Sequence, residues 1–233
     1  MIGHTVRRQT RRLLVSPSWH RIVPTRVRRS VTAAVSLAET SAWLASAGPM
    51  PALDDREALY AAVLGRHVDE PLDYLEFGVS RGASIRWWSE ALQHPATRLV
   101  GFDTFEGLPE DWGVVAAGTY TADGRVPRLD DTRASFEVGM FQATLPGWLA
   151  ANRLERRTIV HLDADLYSST LFVLSSLAPH LDVGDVLVFD EFGSVRNADH
   201  EFRAFADFTA AYRWRYEPLG ATPAFKQVAL RIA

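Results

Sequence analysis

The sequence predicts an α/β fold: one doubly wound sheet, mostly parallel, that ends in an antiparallel C-terminal hairpin. Three observations predict it. From Leu72 onward, short apolar runs alternate with segments of helical periodicity, the order that gives strand, helix, strand units and a parallel sheet. Several of these runs stop at an acidic residue or pass straight into glycine, as at Glu76–Gly78, Asp103, Asp163 and Asp190. The last two runs, Trp214–Glu217 and Phe225–Ile232, are joined by PLGATPA, which is too short for a crossover and makes them antiparallel neighbours.

With 233 residues and 47% hydrophobic content, the chain can bury one large core without a second domain. Cysteine is absent, which excludes disulfides, thiolate metal sites and a cysteine nucleophile and is compatible with a reducing compartment. No apolar run approaches a membrane span, and the Arg-rich start lacks a hydrophobic signal core. A soluble, cytoplasmic protein without a membrane partner is expected.

Eight arginines (Arg7, Arg8, Arg11, Arg12, Arg21, Arg26, Arg28, Arg29) precede the first acidic residue, Glu39, although the whole chain carries a net charge of -3. A basic arm on an acidic body binds nucleic acid or an anionic surface, or folds back on its own domain. Trp19 is the one aromatic residue in the arm and no nucleic-acid module is recognisable, so a folded-back or flexible arm is the preferred reading and nucleic acid is not the favoured partner. An organelle transit peptide has a similar composition. Residues 1–29 are read as the arm, 30–71 as a helical cap and 72–233 as the main domain.

Within the cap, an Ala-rich helix runs from Ser30 to a stop at Gly48 and Pro49, and a second runs from Asp54 to about His67, with Asp54 and Asp55 at its start. Leu72–Phe77 is the first strand. It leads into EFGVSRGAS, where Gly78 and Gly82 let backbone approach a ligand before a helix opens near Ser84. The G-x-G-x-x-G spacing of the dinucleotide fingerprint is missing. Arg98–Phe102 is the next strand, ending at Asp103, where a carboxylate could hold the two hydroxyls of a ribose or simply serve a turn. Taken with Glu76 and the glycines, it favours a cofactor that carries a nucleoside.

Pro109–Asp131 has no sustained periodicity and reads as a lid or binding loop. Ser135–Val138 is a short strand that delivers Gly139, Met140 and Phe141 to the same edge, with a helix starting near Leu145 and Pro146. Phe141 is either an adenine-stacking face or ordinary core. Thr158–Leu162 and Val186–Phe189 are two further strands, separated by a helix that begins near Leu166. A last helix covers Asp199–Tyr212, with Phe202, Phe205 and Phe208 on one side.

Parallel strands put Asp163, Asp190 and Glu191 on one sheet edge, the edge where open α/β sheets bind ligands. Three converging carboxylates repel one another unless a cation or proton intervenes, and hard oxygen donors suit magnesium or calcium. Each acid alone could equally cap a helix or sit in a solvated loop. The three together favour a divalent metal.

EFGVSRGAS, FDTFEGLPEDWG, GMFQATLP, HLDADLYSST and VLVFDEF, in this order, resemble the class I S-adenosylmethionine-dependent O-methyltransferases related to the macrocin and mycinamicin sugar enzymes, from Leu72 to the C-terminus. The resemblance implies a Rossmann-like methyltransferase sheet and methyl transfer to a hydroxyl of a small molecule, a sugar or other natural product. It implies that Glu76, Gly78, Gly82, Ser84, Asp103, Thr104 and Phe141 bind S-adenosylmethionine and that Asp163, Asp190 and Glu191 bind Mg2+. Two departures stand out. The sugar enzymes usually have two aspartates where this chain has Asp190 and Glu191, and no histidine lies between His94 and His161 to act as their general base. His161 and Asp165 are the nearest substitutes for that base, although a core histidine and a helix cap are the commoner fates of such residues. The rival expectations are a nucleic-acid methyltransferase guided by the arm, or a non-catalytic descendant that binds cofactor or a partner. Self-association is left open.

Overall fold

The computed structural model describes residues 24–65, 69–193 and 199–233. Its strands are β1 (Leu72–Phe77), β2 (Arg98–Asp103), β3 (Ala134–Val138), β4 (Arg157–Leu162), β5 (Val186–Phe189), β6 (Tyr216–Ala221) and β7 (Val228–Ile232). They form one seven-stranded sheet in the order β3-β2-β1-β4-β5-β7-β6. β1 to β5 are parallel, and β7 runs antiparallel to both β5 and β6. The winding direction reverses between β1 and β4, which opens a crevice at their carboxyl ends.

The helices are α1 (Thr25–Ser46), α2 (Arg56–Leu64), α3 (Ala83–Ala91), α4 (Phe141–Ala151), α5 (Tyr167–Leu177) and α6 (Glu201–Tyr212). α4, α5 and α6 bury one face of the sheet, through Trp148, Leu174 and Phe205 against Leu75, Phe77, Val160 and Leu162. α2 and α3 bury the other, through Tyr60, Ile85 and Trp88 against Leu72, Tyr74 and Ile159. Side chains alternate across a strand, so Glu76 shares the α2/α3 face with Leu72 and Tyr74. His161 shares it with Ile159.

Several boundaries differ from the sequence reading. α1 begins at Thr25 rather than Ser30, so the expected arm is helical from that residue; residues 1–23 lie outside the described residues. α2 spans Arg56–Leu64, with the Asp55 side chain accepting from the Ala58 N–H at 2.8 Å, and the expected end at His67 is also outside the described residues. α4 starts at Phe141 and carries Pro146 in its second turn. A proline there removes one helical hydrogen bond, and the buried Leu145 and Trp148 hold the helix in place. The terminal hairpin is antiparallel as expected but shifted along the chain, with a register break at Pro218/Gly220. Among the described residues no helix is long and apolar enough to cross a membrane.

α1 is fastened at its C-terminal end. The Trp43 ring lies 5.1 Å from Phe192 and 5.9 Å from both Phe202 and Phe205, and its indole N–H donates to the Tyr216 hydroxyl. Trp43→Ala opens this cluster and is expected to cost about 3 kcal/mol, a drop of roughly 10 °C in Tm for a domain of this size. A thermal melt unchanged from wild type would show that α1 adds nothing to the domain's stability.

Candidate active site

At the end of β1 the chain turns through Gly78 with φ 96°, and a Cβ there would stand 1.9 Å from the Asp163 carbonyl oxygen. The Asp163 N–H donates to the Phe77 carbonyl at 2.9 Å. Glycine is therefore required for the β1 turn to press against the end of β4. Gly82, with φ 76°, precedes α3, and a Cβ on it would meet Pro127 at 2.8 Å. The 109–131 loop thus packs over the same turn.

Asp103 ties the two turns together. One carboxylate oxygen accepts from the Val79 and Ser80 N–H groups at 2.7 and 2.6 Å, and the other accepts from the Phe105 N–H at 2.7 Å. A carboxylate offers roughly four acceptor positions, so room remains for one ribose hydroxyl rather than the two expected from sequence. Thr104 accepts from the Glu106 N–H at 3.1 Å. Phe141 packs edge-on to Phe77 at 5.4 Å and also borders the crevice.

These elements enclose a cavity of about 430 Å³ whose wall includes Gly78, Ser84, Asp103, Thr104, Phe141, Asp163, Asp165, Asp190 and Glu191. Of the sequence-predicted residues, Gly82 lies behind this wall, against Pro127, and two others turn away from it. Glu76 is fully buried; its oxygens accept from the Ser84 hydroxyl at 2.6 Å and the Tyr74 hydroxyl at 2.5 Å. Burial pushes its carboxyl up to about 8, and those two hydrogen bonds only partly offset the shift. Glu76 therefore braces the turn from beneath and is not a crevice contact. His161, also fully buried, has Nδ1 2.7 Å from the Tyr74 hydroxyl and Nε2 3.4 Å from the Tyr60 hydroxyl. Burial pulls its pKa down to about 3. It is a core histidine held neutral and does not reach the crevice as a base.

The acids at the end of β4 and β5 do reach it. Asp163 is pushed well above the usual carboxylate range by burial and by the neighbouring charges of Asp190 and Asp165. Asp165 has φ 59° and is raised to about 7, by burial first and then by Glu191 and Asp190. It does not cap α5, whose N-cap, Leu166, makes no side-chain capping bond. One Asp190 oxygen is buried with no hydrogen-bond partner among the described residues. Glu191 Oε1, in contrast, lies 2.9 Å from Lys226 Nζ.

Buried, mutually repelling carboxylates with an unpartnered oxygen suit a hard cation at Asp163 and Asp190. Among the described residues no group of three His, Asp or Glu is placed to enclose a metal, and the expected third ligand, Glu191, is engaged by Lys226. Sequence reasoning missed four residues here: Lys226, Arg56, Trp112 and the fully buried Glu201, which accepts from the Glu191 N–H at 3.0 Å. Nothing in the local pattern marks them, because the hairpin, α2, the loop and α6 deliver them through tertiary packing.

A family model described as a methyltransferase domain matches residues 75–192, half of the chain. The chain is 32% identical over 175 residues to the 8-demethyl-8-(2,3-dimethoxy-alpha-L-rhamnosyl)-tetracenomycin-C 4'-O-methyltransferase of Streptomyces olivaceus, covering 65% of this chain and 64% of that protein. The match thus spans less than two thirds of the relative's length. Among solved structures, the apo form of CalS11, a TDP-rhamnose 3'-O-methyltransferase of calicheamicin biosynthesis, superposes with a TM-score of 0.54 at 25% identity, over 98% of this chain and 93% of its own. The O-methyltransferase NovP gives a TM-score of 0.55 at 23% identity over 75% and 76% of the two chains, a likeness of fold. The sheet order with its antiparallel β7 is that of the class I methyltransferase fold, and the chain belongs to the methyltransferase-domain family.

Proposed function

We propose that this chain transfers a methyl group from S-adenosylmethionine to a hydroxyl of a sugar carried by a small-molecule natural product. One observation carries the reading: the glycine turn at Gly78, Asp103 and the acids Asp163, Asp165 and Asp190 open into one cavity. The 32% identity to a rhamnosyl O-methyltransferase supports the substrate class.

Along the sheet edge, Met140 and Phe141 after β3 border the base end of a nucleoside cofactor. Asp103 after β2 takes a ribose hydroxyl. Gly78 and Asp163 at the β1/β4 edge would then hold the sulfonium end of the cofactor. Catalysis is mostly positioning: the acceptor oxygen must sit in line with the sulfur–methyl bond. When bound, S-adenosylmethionine would supply the methyl group and its thioether leaving group, and the hydroxyl proton would pass to a base. Asp165 suits that task, since it borders the cavity and its carboxyl is raised to about 7, close to the working pH of a general base. Trp112 and Tyr120, ring centroids 6.5 Å apart, flank the cavity with apolar surface suited to a sugar ring. A magnesium ion would be held by Asp163 and Asp190 and, when bound, would lower the pKa of the acceptor hydroxyl.

The test is incubation of the full chain with methyl-labelled S-adenosylmethionine and three acceptors: a rhamnosylated aglycone, TDP-rhamnose and RNA. Label on a sugar hydroxyl is the expected result. Label on RNA alone, or no binding of S-adenosylmethionine by calorimetry, would defeat the reading.

A further inference from the structure

We infer that Arg56, on the helix ahead of the matched domain, binds the carboxylate of the cofactor's amino-acid end. The inference rests on the S-adenosylmethionine reading above and adds a residue outside the 75–192 match.

Arg56 opens α2 and lines the same cavity as Gly78, Ser80 and Asp163. Its guanidinium has no hydrogen-bond or ion-pair partner among the described residues, a property it shares on this wall with Arg81, whereas Arg98, Arg133, Arg156, Arg203 and Arg231 all pair with carboxylates. Its backbone is held in place: Asp55 caps the helix, and Leu59 and Tyr60 are buried behind it. An exposed, unpaired guanidinium on a cavity wall, carried by a helix whose backbone is held, is placed for planar, two-pronged recognition of an anion.

The topology says which anion. Base, ribose and amino acid run along the edge from β3 through β2 to the β1/β4 switch point, and Arg56 lies at the last of these. Its charge acts on Tyr60 and His161, the groups packed beneath that point, and Tyr60 feels Asp190 and Asp163 as well. A cation on one side and carboxylates on the other match a zwitterion, with its ammonium toward Asp163 and its carboxylate toward Arg56. Arg81 also borders the cavity, but from within the glycine turn between β1 and α3 rather than from α2.

The experiment measures binding of S-adenosylhomocysteine and of 5'-methylthioadenosine, which lacks the amino acid, to wild type, Arg56→Met and Arg81→Met by calorimetry. Arg56→Met is expected to weaken S-adenosylhomocysteine by roughly 10–100-fold and to leave 5'-methylthioadenosine unchanged, while Arg81→Met changes neither ratio. Equal weakening of both ligands in Arg56→Met would assign it a structural role and overturn the inference. Selective loss in Arg81→Met instead would move the contact to that residue. If neither ligand binds wild type, the cofactor reading itself fails and the inference falls with it.

Discussion

Asp163→Asn is expected to raise the melting temperature in metal-free buffer and at the same time to lower methyl transfer on the order of 10²–10³-fold, the usual cost of removing one preorganised charge at a reacting centre. The two effects share a cause. Asp163 is half-buried beside Asp190, Asp165 and Glu201, and desolvation together with these charges holds its carboxyl well above the usual range. An acid whose folded pKa exceeds its unfolded one loses stability as pH rises through that interval. At neutral pH the unfolded chain has already ionised Asp163, and the fold resists doing so. Asparagine has nearly the same shape and carries no charge, so it relieves the repulsion. It also removes a carboxylate able to hold a cation from the point where β1 presses on β4, beside the proposed site of methyl transfer. S-adenosylhomocysteine should still bind, because Asp103 and Phe141 remain, but more weakly, because its ammonium loses the Asp163 carboxylate. Turnover equal to wild type in Asp163→Asn would remove Asp163 from the mechanism, and a lowered melting temperature would show that the carboxylate is already compensated by a partner.

That conflict between stability and activity was visible in the sequence only in part. β5 was legible because it is a continuous apolar run, and β1 and β4 because they are short, mostly apolar runs bounded by turn residues, the pattern of strands buried on both faces. Their parallel direction then placed Asp163, Asp190 and Glu191 on one edge. The start of α4 was misplaced because Pro146 reads as a first-turn proline, whereas the helix opens five residues earlier, at Phe141, and the buried Leu145 and Trp148 hold it on either side of the proline. The hairpin strands were shifted because Pro218 and Gly220 interrupt β6, and the register absorbs them with a bulge. Glu76 was assigned to the cofactor from its place just before a glycine. The strand alternation that puts it with Leu72 and Tyr74 points it at α3 instead, and that signal was present in the sequence. The Lys226–Glu191 pair was not. It depends on how the β6–β7 hairpin leans over the end of β5, and no local pattern encodes that.

Glu76→Gln should alter the pH dependence of stability between pH 4.5 and 8. A consistent hydrogen-bond chain runs from the Tyr60 hydroxyl to His161 Nε2, from His161 Nδ1–H to the Tyr74 oxygen, and from the Tyr74 hydroxyl to Glu76, where Ser84 also donates. The two titratable members act in opposite senses. Glu76 is raised from 4.5 to about 8, so its contribution is complete below 4.5 and is lost as pH climbs to 8. His161 is depressed from 6.5 to about 3, so its contribution is complete above 6.5 and is lost as pH falls toward 3. Each slope is at most about 1.4 kcal/mol per pH unit. Between 4.5 and 6.5 the two oppose each other and nearly cancel; between 6.5 and 8 the Glu76 slope stands alone. Glutamine can still pair with Ser84 and Tyr74 but cannot ionise, so the stability difference between variant and wild type should be flat below pH 4.5 and grow in the variant's favour up to pH 8. Denaturant unfolding of both proteins across that range measures it directly. A difference that does not change with pH would mean that the Glu76 carboxyl titrates as if exposed, and that the turn carrying Gly78 does not rest on a neutral acid.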